Sequence, residues 1–201
     1  MTSTPVSALG SEGGAFREGG IAERRRRILG QAAFVLIGSL LLALSAKVQV
    51  PLWPVPVTLQ TLAVLAVAMW GGARLGAAAV LLYGVEGFAG LPVFAGAASG
   101  PAYLLGATGG YLLGFLVAAL VVGGLAERGW RRSLPRLAGA MLIGHALILA
   151  CGVAWLSVLV GPGKAIATGL LPFLWGTLVK SGAGVALLRL TPRFGPAGRP
   201  R

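Results

Sequence analysis

Three ionisable side chains interrupt otherwise apolar stretches of this 201-residue chain: Glu86, His145 and Lys180. A charge inside an apolar segment is costly to bury and usually faces a protein interior or a cavity, so each marks a candidate site. Lys180 shares a helical face with Thr177 at i−3 and Gly176 at i−4. It is a candidate cation for a ligand carboxylate, with a structural ion pair to Glu86 as the alternative. Glu86 stands open between ligand contact and that pairing. His145 has no carboxylate or second histidine at metal-ligand spacing, and reads as a hydrogen-bonded core histidine rather than a metal ligand or proton relay. Trp53, Tyr83, Phe94 and Tyr111 are candidate walls of the same site, with plain packing as the alternative.

Catalytic motifs do not accompany these residues. All 5 acidic residues are glutamates, so there is no aspartate for a metal-dependent phosphoryl site. Gly163-Lys164 is followed by alanine and lacks the leading glycine of a phosphate loop. HExxH and GxSxG are absent. The single cysteine, Cys151, excludes an internal disulfide and any CxxC site, and reads as a small buried hydrophobe. No metal or cofactor is expected. An intramembrane enzyme using Glu86 and His145 is the competing class. It is disfavoured because the orientation argued below puts Glu86 in the outer half of its span and His145 in the inner half.

Composition dictates the setting. Hydrophobic residues make up 56% of the chain and charged ones 11%, with mean hydropathy +0.85. A soluble domain has about 25% charged residues, and less than half of that cannot cover a globular surface. The net charge of +12 comes from 17 Lys and Arg against 5 Glu. These basic residues lie in short runs between apolar stretches, not on one face with interleaved aromatics, so nucleic acid is not an expected partner. The reading is an all-α integral membrane protein surrounded by membrane lipid.

Six apolar segments, at about 28–46, 57–70, 75–89, 108–125, 137–160 and 168–190, predict six transmembrane helices. A bilayer core of ~30 Å needs about 20 helical residues, and the second and third segments fall short. Only Gly71-Gly72-Ala73-Arg74 separates those two, which predicts a hairpin of short helices or helices broken near a binding site. Residues 1–27 read as a disordered basic tail ending in Arg24 to Arg27, 28–190 as the membrane domain, and 191–201 as a second basic tail. The first segment exceeds the apolar core of a secretory signal, and five more follow it, so it reads as a retained helix. With the amino terminus in the cytoplasm, 14 of the 17 Lys and Arg fall on the inner face. Lys47 and Lys164 fall outside, and Lys180 lies within the last span. Both termini are therefore expected to be cytoplasmic.

Gly106, Gly110, Gly114 and Ala118 recur every four residues, and Gly72/Gly76 and Ala140/Gly144 repeat the spacing. Such stripes predict close helix packing; a sliding surface for a partner is the alternative. Two outer connections are unusual. Residues 47–58 hold three prolines and Trp53, and residues 89–107 are Gly/Ala/Pro-rich with Phe94 and Tyr103. Neither is charged enough for a solvated loop. Non-helical backbone at membrane depth survives only when buried in protein or lining a cavity, so both predict a lid or wall of an outward-facing pocket. The ligand expected is small and largely apolar.

Several strings in order carry a family resemblance: Ala46-Lys47-Val48-Gln49-Val50-Pro51, then Pro54-Val55-Pro56-Val57-Thr58-Leu59-Gln60-Thr61, then Gly71-Gly72-Ala73-Arg74-Leu75-Gly76. Gly90-Leu91-Pro92-Val93-Phe94-Ala95-Gly96, Ala107-Thr108-Gly109-Gly110-Tyr111 and Leu171-Pro172-Phe173-Leu174, leading to Gly176 and Lys180, complete the series. From about residue 46 to 190 the chain resembles the BioY-type substrate-binding (S) component of energy-coupling factor vitamin transporters. The resemblance implies six membrane helices, capture of biotin from outside without catalysis, and a prokaryotic cell-membrane location. It also implies docking to a transmembrane coupling subunit that bears two ATPases; work alone as a homo-oligomer stays open. Biotin suits the expected pocket, having an apolar thiophane ring, a neutral ureido group and one carboxylate. By the resemblance Lys180 takes the place of the ligand-contacting lysine, and Ala97, Ala98, Ser99 and Gly100 that of the loop approaching the ureido ring. Gln60, Trp53, Tyr83, Phe94, Tyr111, Glu86 and Thr177 complete the candidate contacts.

Three positions depart from the family pattern. Thr177 replaces the aspartate of Gly-Asp-x-x-Lys, Ala107 replaces a proline, and Ser39 with Ala43 is only an approximate small-xxx-small motif on the first helix. Threonine hydrogen-bonds but supplies no charge, so an S component for another vitamin is the second reading.

Overall fold

The computed structural model describes residues 12–191, with side chains from Glu23 onward and at Ile21. Residues 1–11 and 192–201, which include much of both expected tails, lie outside the described residues. Helix α1 (Glu12–Lys47) runs unbroken through the Arg24 to Arg27 run. Helix thus stands where composition led to an irregular tail; Ala, Glu and Arg are good helix formers and no proline lies between Pro5 and Pro51.

The Pro-rich connection after α1 forms a minimal antiparallel hairpin, β1 (Gln49–Val50) with β2 (Val57–Thr58), pairing Gln49 with Thr58 and Val50 with Val57. Helix α2 (Gln60–Phe88) follows, and it is two arms. Gly72 breaks it with φ 78° and ψ −177°, a conformation closed to ordinary L residues. There the amide of Ala73 donates to Glu127 Oε1 at 2.9 Å, and a Cβ on Gly72 would meet the same oxygen at 2.5 Å. The chain then reverses. A Cβ on Gly76 would lie 2.8 Å from the Ala68 Cα, and Gln60 Nε2 donates to Tyr83 Oη at 2.7 Å, so residues at similar distances along the chain from Gly72 face each other. The arms, 60–71 and 73–88, rise about 18 and 24 Å at ~1.5 Å per residue, less than a full bilayer core.

Short α3 (Pro101–Leu105), α4 (Gly109–Glu127), a 3-10 turn (Trp130–Arg132), α5 (Leu134–Val160), α6 (Pro162–Gly169) and α7 (Leu171–Leu190) complete the fold. Prolines open α3, α5, α6 and α7, where a missing N–H has no intrahelical partner to lose. Among the described residues five helical stretches are long and apolar enough to cross a membrane. One of them is the α2 hairpin, so the count is six membrane helices, as the segments predicted. The small helices α3 and α6 and the β hairpin were not anticipated.

The first arm of α2 is the centre of the bundle, with Val64, Leu65 and Ala68 fully buried against Leu42, Val122, Met141 and Ile148. The small-residue stripe of α4 faces α5. A Cβ on Gly110 would lie 2.2 Å from Trp155 Cβ, and one on Gly114 would lie 2.9 Å from the Ile148 Cα. Leucines and isoleucines of α1 (Leu36, Ile37, Leu40, Leu44) and Trp175 and Val179 of α7 stay exposed, as lipid-facing positions do.

The β hairpin, the connection between α2 and α4, and α6 gather at one end of the bundle. Lys47 reaches the carbonyl of Phe94, Trp155 Nε1 donates to Gly106 O, and Tyr111 Oη donates to Gly169 O. The opposite end ties Trp70 and Arg131 to Thr191, and holds the Gly72 turn.

Candidate ligand-binding site

A cleft opens among these connections, lined by Val55, Pro56, Thr58, Gln60 and Thr61 from the β hairpin and the start of α2, and by Tyr103 and Thr108. Tyr111, Leu112 and Phe115 of α4, Ile148 and Leu149 of α5, and Phe173 and Lys180 of α7 close it. Its volume is about 450 Å³, counted out to its open mouth. Its walls are largely apolar and aromatic. Tyr111 and Phe173 stack with ring centres 5.7 Å apart.

Lys180 is the single charged residue in the lining, and no carboxylate joins it. It is 9% exposed, and its Nζ donates to Thr58 O at 3.0 Å. Its stem runs back along α7 over Gly176, where a Cβ would lie 3.6 Å from Lys180 Cε and 3.7 Å from Val57 Cγ1. The alternative partner, Glu86, is engaged elsewhere: it accepts a hydrogen bond from Ser39 of α1. An ion pair between Lys180 and Glu86 is not formed.

Behind Thr61 of the lining lies a buried polar group whose hydrogen bonds are satisfied. His145, 1% exposed, has Nδ1 at 3.0 Å from Met141 O and 3.1 Å from Ser181 Oγ, and Nε2 at 3.2 Å from Thr61 Oγ1. A carbonyl only accepts, so the proton is assigned to Nδ1 and Nε2 accepts from Thr61. His145 is the hydrogen-bonded core histidine that its isolation in the sequence suggested, and it shares no hydrogen-bond partner with Glu86.

Of the candidate contacts, the structure brings Lys180, Gln60 and Tyr111 into the cleft wall and leaves the others outside it. Thr177 is half-buried on the side of α7 that carries Phe173 and Lys180, about 40° and about 60° around the helix from them, but does not itself line the cleft. Tyr83 and Phe94 stand behind the wall: Tyr83 accepts from Gln60, and Phe94 stacks on Tyr103 with ring centres 4.7 Å apart. Ala97, Ala98, Ser99 and Gly100 lie further back, tied by Gly100 N to Gly87 O at 2.7 Å. Glu86 is turned to α1. Trp53, at the tip of the β hairpin, is 87% exposed.

Sequence reasoning missed Thr58, Thr61, Tyr103, Thr108 and Phe173 as lining residues. All but Tyr103 lie in strings that carry the family resemblance, which was the available signal; Tyr103 falls in the second unusual loop. Leu112, Phe115, Ile148 and Leu149 gave none, being apolar residues of apolar spans. Burial holds the Tyr103 phenol above its ordinary pKa, so it is a neutral hydrogen-bonding group.

A family model described as the BioY family matches residues 21–196. The chain is 35% identical over 157 residues to a probable biotin transporter BioY of Pyrococcus horikoshii, covering 78% of this chain and 93% of that protein. It is 40% identical over 141 residues to a biotin transporter BioY of Thermotoga maritima, covering 70% and 82%. Its fold matches the crystal structure of the S-component for biotin from an ECF-type ABC transporter, with TM-score 0.75, 21% identity, and coverage of 84% of this chain and 95% of that one.

Proposed function

The chain belongs to the BioY family, and from that membership and the chemistry of its cleft we propose that it captures biotin as the substrate-binding component of a vitamin transporter. It is a multi-pass membrane protein of a family of transporters, and binding requires no bond to be made or broken. The observation that carries the ligand is Lys180: a buried ammonium in a largely apolar cleft, with one backbone hydrogen bond and no carboxylate in the lining. A charge so placed is costly, and a ligand carboxylate offsets that cost by charge-assisted hydrogen bonds to the remaining N–H groups. The stacked Tyr111 and Phe173 rings and Phe115 suit the thiophane and the aliphatic chain. The hydroxyl oxygens of Thr58, Thr61, Thr108, Tyr103 and Tyr111 line the cleft and can accept from the ureido N–H groups, while the protons of Thr61, Thr108 and Tyr111 already serve His145 Nε2, Tyr103 O and Gly169 O.

The cleft faces the extracytoplasmic side in this reading. Arg24 to Arg27, Arg74, Arg128, Arg131, Arg132, Arg136 and Arg189 belong to the end away from the cleft, while Lys47 and Lys164 belong to the cleft end. That asymmetry supports a cytoplasmic basic end. Because the sequence has no nucleotide-binding motif, release to the inside is assigned to the energy-coupling module, a transmembrane coupling subunit with two ATPases.

Biotin added to the detergent-purified protein should raise its melting temperature, since only the folded cleft binds. Calorimetry giving no heat with biotin but heat with riboflavin or thiamin would overturn the substrate and leave the fold untouched.

A further inference from the structure

We infer that Lys47 is a positioning residue for ligand recognition: it clamps the loop carrying Phe94, and through that ring sets the Tyr103 wall of the cleft. The inference rests on the biotin reading of that cleft. Lys47 closes α1, and its side chain is exposed, yet its Nζ donates to three carbonyls of one loop. The acceptors are Pro92 O at 2.6 Å, Phe94 O at 2.8 Å and Gly96 O at 2.6 Å. An ammonium has three donors, so its capacity is filled by this loop. Lys180, by contrast, has one such bond.

Lys47 is the one side-chain cation on this loop among the hydrogen bonds of the described residues, and it acts beside a few backbone bonds and the buried Phe94 ring. The loop's own backbone bonds include Phe94 N to Ala98 O at 3.2 Å and Ala98 N to Ala95 O at 3.4 Å. Without the ammonium, three carbonyl dipoles would converge with no cation between them. What the clamp fixes is the Phe94 ring, fully buried in a notch left by Gly87, where a Cβ would meet Phe94 Cζ at 2.0 Å. That ring lies flat on Tyr103 at 4.7 Å and edge-on to Tyr83 at 5.4 Å. Tyr103 lines the cleft directly. Tyr83 donates to Val93 O at 3.2 Å in the same loop and accepts from Gln60, a second lining residue. One surface lysine outside the lining thus fixes the positions of two polar residues within it.

The variant to make is Lys47→Met, which keeps the stem and removes the donors. In the ligand-free protein, hydrogen exchange of residues 92–105 should accelerate about 10-fold or more while α4 is unchanged, because local opening tracks the bonds lost. Biotin should dissociate about 10-fold faster, with association changed less than about 3-fold. Adding Lys47→Met to Phe94→Leu should give no further loss, since both act through one ring. Lys47→Arg is the second variant should the first not fold. Its planar fork cannot serve three carbonyls that converge on one point, so dissociation should still quicken, to a rate between the two. Unchanged exchange in 92–105, unchanged biotin dissociation, or effects that multiply in the double variant would each overturn the positioning role. Failure of the unmodified protein to bind biotin would instead overturn the substrate reading, and the exchange measurement would still decide the role of Lys47.

Discussion

Replacing Lys180 with methionine tests the charge argument most directly. The side chain keeps its volume and loses its ammonium, so any ligand carboxylate would be buried without its cation. Removing one partner of a buried, hydrogen-bonded charge pair costs about 2–5 kcal/mol. Lys180 is only 9% exposed, so solvent screens the pair weakly, but one of its donors already serves Thr58 O. The expected loss is therefore mid-range, about 3 kcal/mol or roughly 100-fold in Kd. Titration calorimetry on purified protein with biotin and with biotin amide forms a double-mutant cycle. The amide should bind the unmodified protein roughly 100-fold more weakly than biotin and lose little more in the variant. The unliganded Tm should hold or rise, because the variant removes a buried cation for which the cleft lining provides no carboxylate. Equal losses for acid and amide, giving coupling near zero, would refute the carboxylate role of Lys180.

Two further tests address the scaffold. Gly110→Ala should lower the unliganded Tm, with a cost of about 1–3 kcal/mol for overpacking. The added Cβ would fall 2.2 Å from Trp155 Cβ and 2.7 Å from the Cys151 carbonyl oxygen, so α4 and α5 must separate; an unchanged Tm would contradict that packing. In a Cys151→Ala background, cysteines at Ser99 or Lys164 should react with an impermeant reagent from outside, and one at Ser133 should not. Strong external labelling at Ser133 would invert the orientation.

Much of the architecture was legible because the bilayer imposes simple rules on a chain. Helical spans must be apolar and about 20 residues long, and the segments at 108–125, 137–160 and 168–190 correspond closely to α4, α5 and α7. The Gly71-Gly72-Ala73-Arg74 break between two short segments predicted a hairpin or broken helices, and the structure has the hairpin at Gly72; the four-residue stripe on α4 predicted close packing, and the structure supplies α5 as the partner. The two sparsely charged loops, one proline-rich and one Gly/Ala/Pro-rich, had to be covered by protein, and both reach the cleft, through Val55, Pro56 and Thr58 on one side and Tyr103 on the other.

What the chain alone left open was pairing, because a lone charge in an apolar run reveals its cost but not its partner. Lys180 and Glu86 were equally suited to each other on paper. Only the packed bundle turns Glu86 to Ser39 and Lys180 to Thr58. Likewise Phe94 and Tyr103 were two aromatics in one loop, and the fold decided that one lines the cleft while the other supports it from behind. Those choices depend on which helix faces meet across tens of residues, and such long-range contacts follow from how the six helices pack rather than from any local pattern.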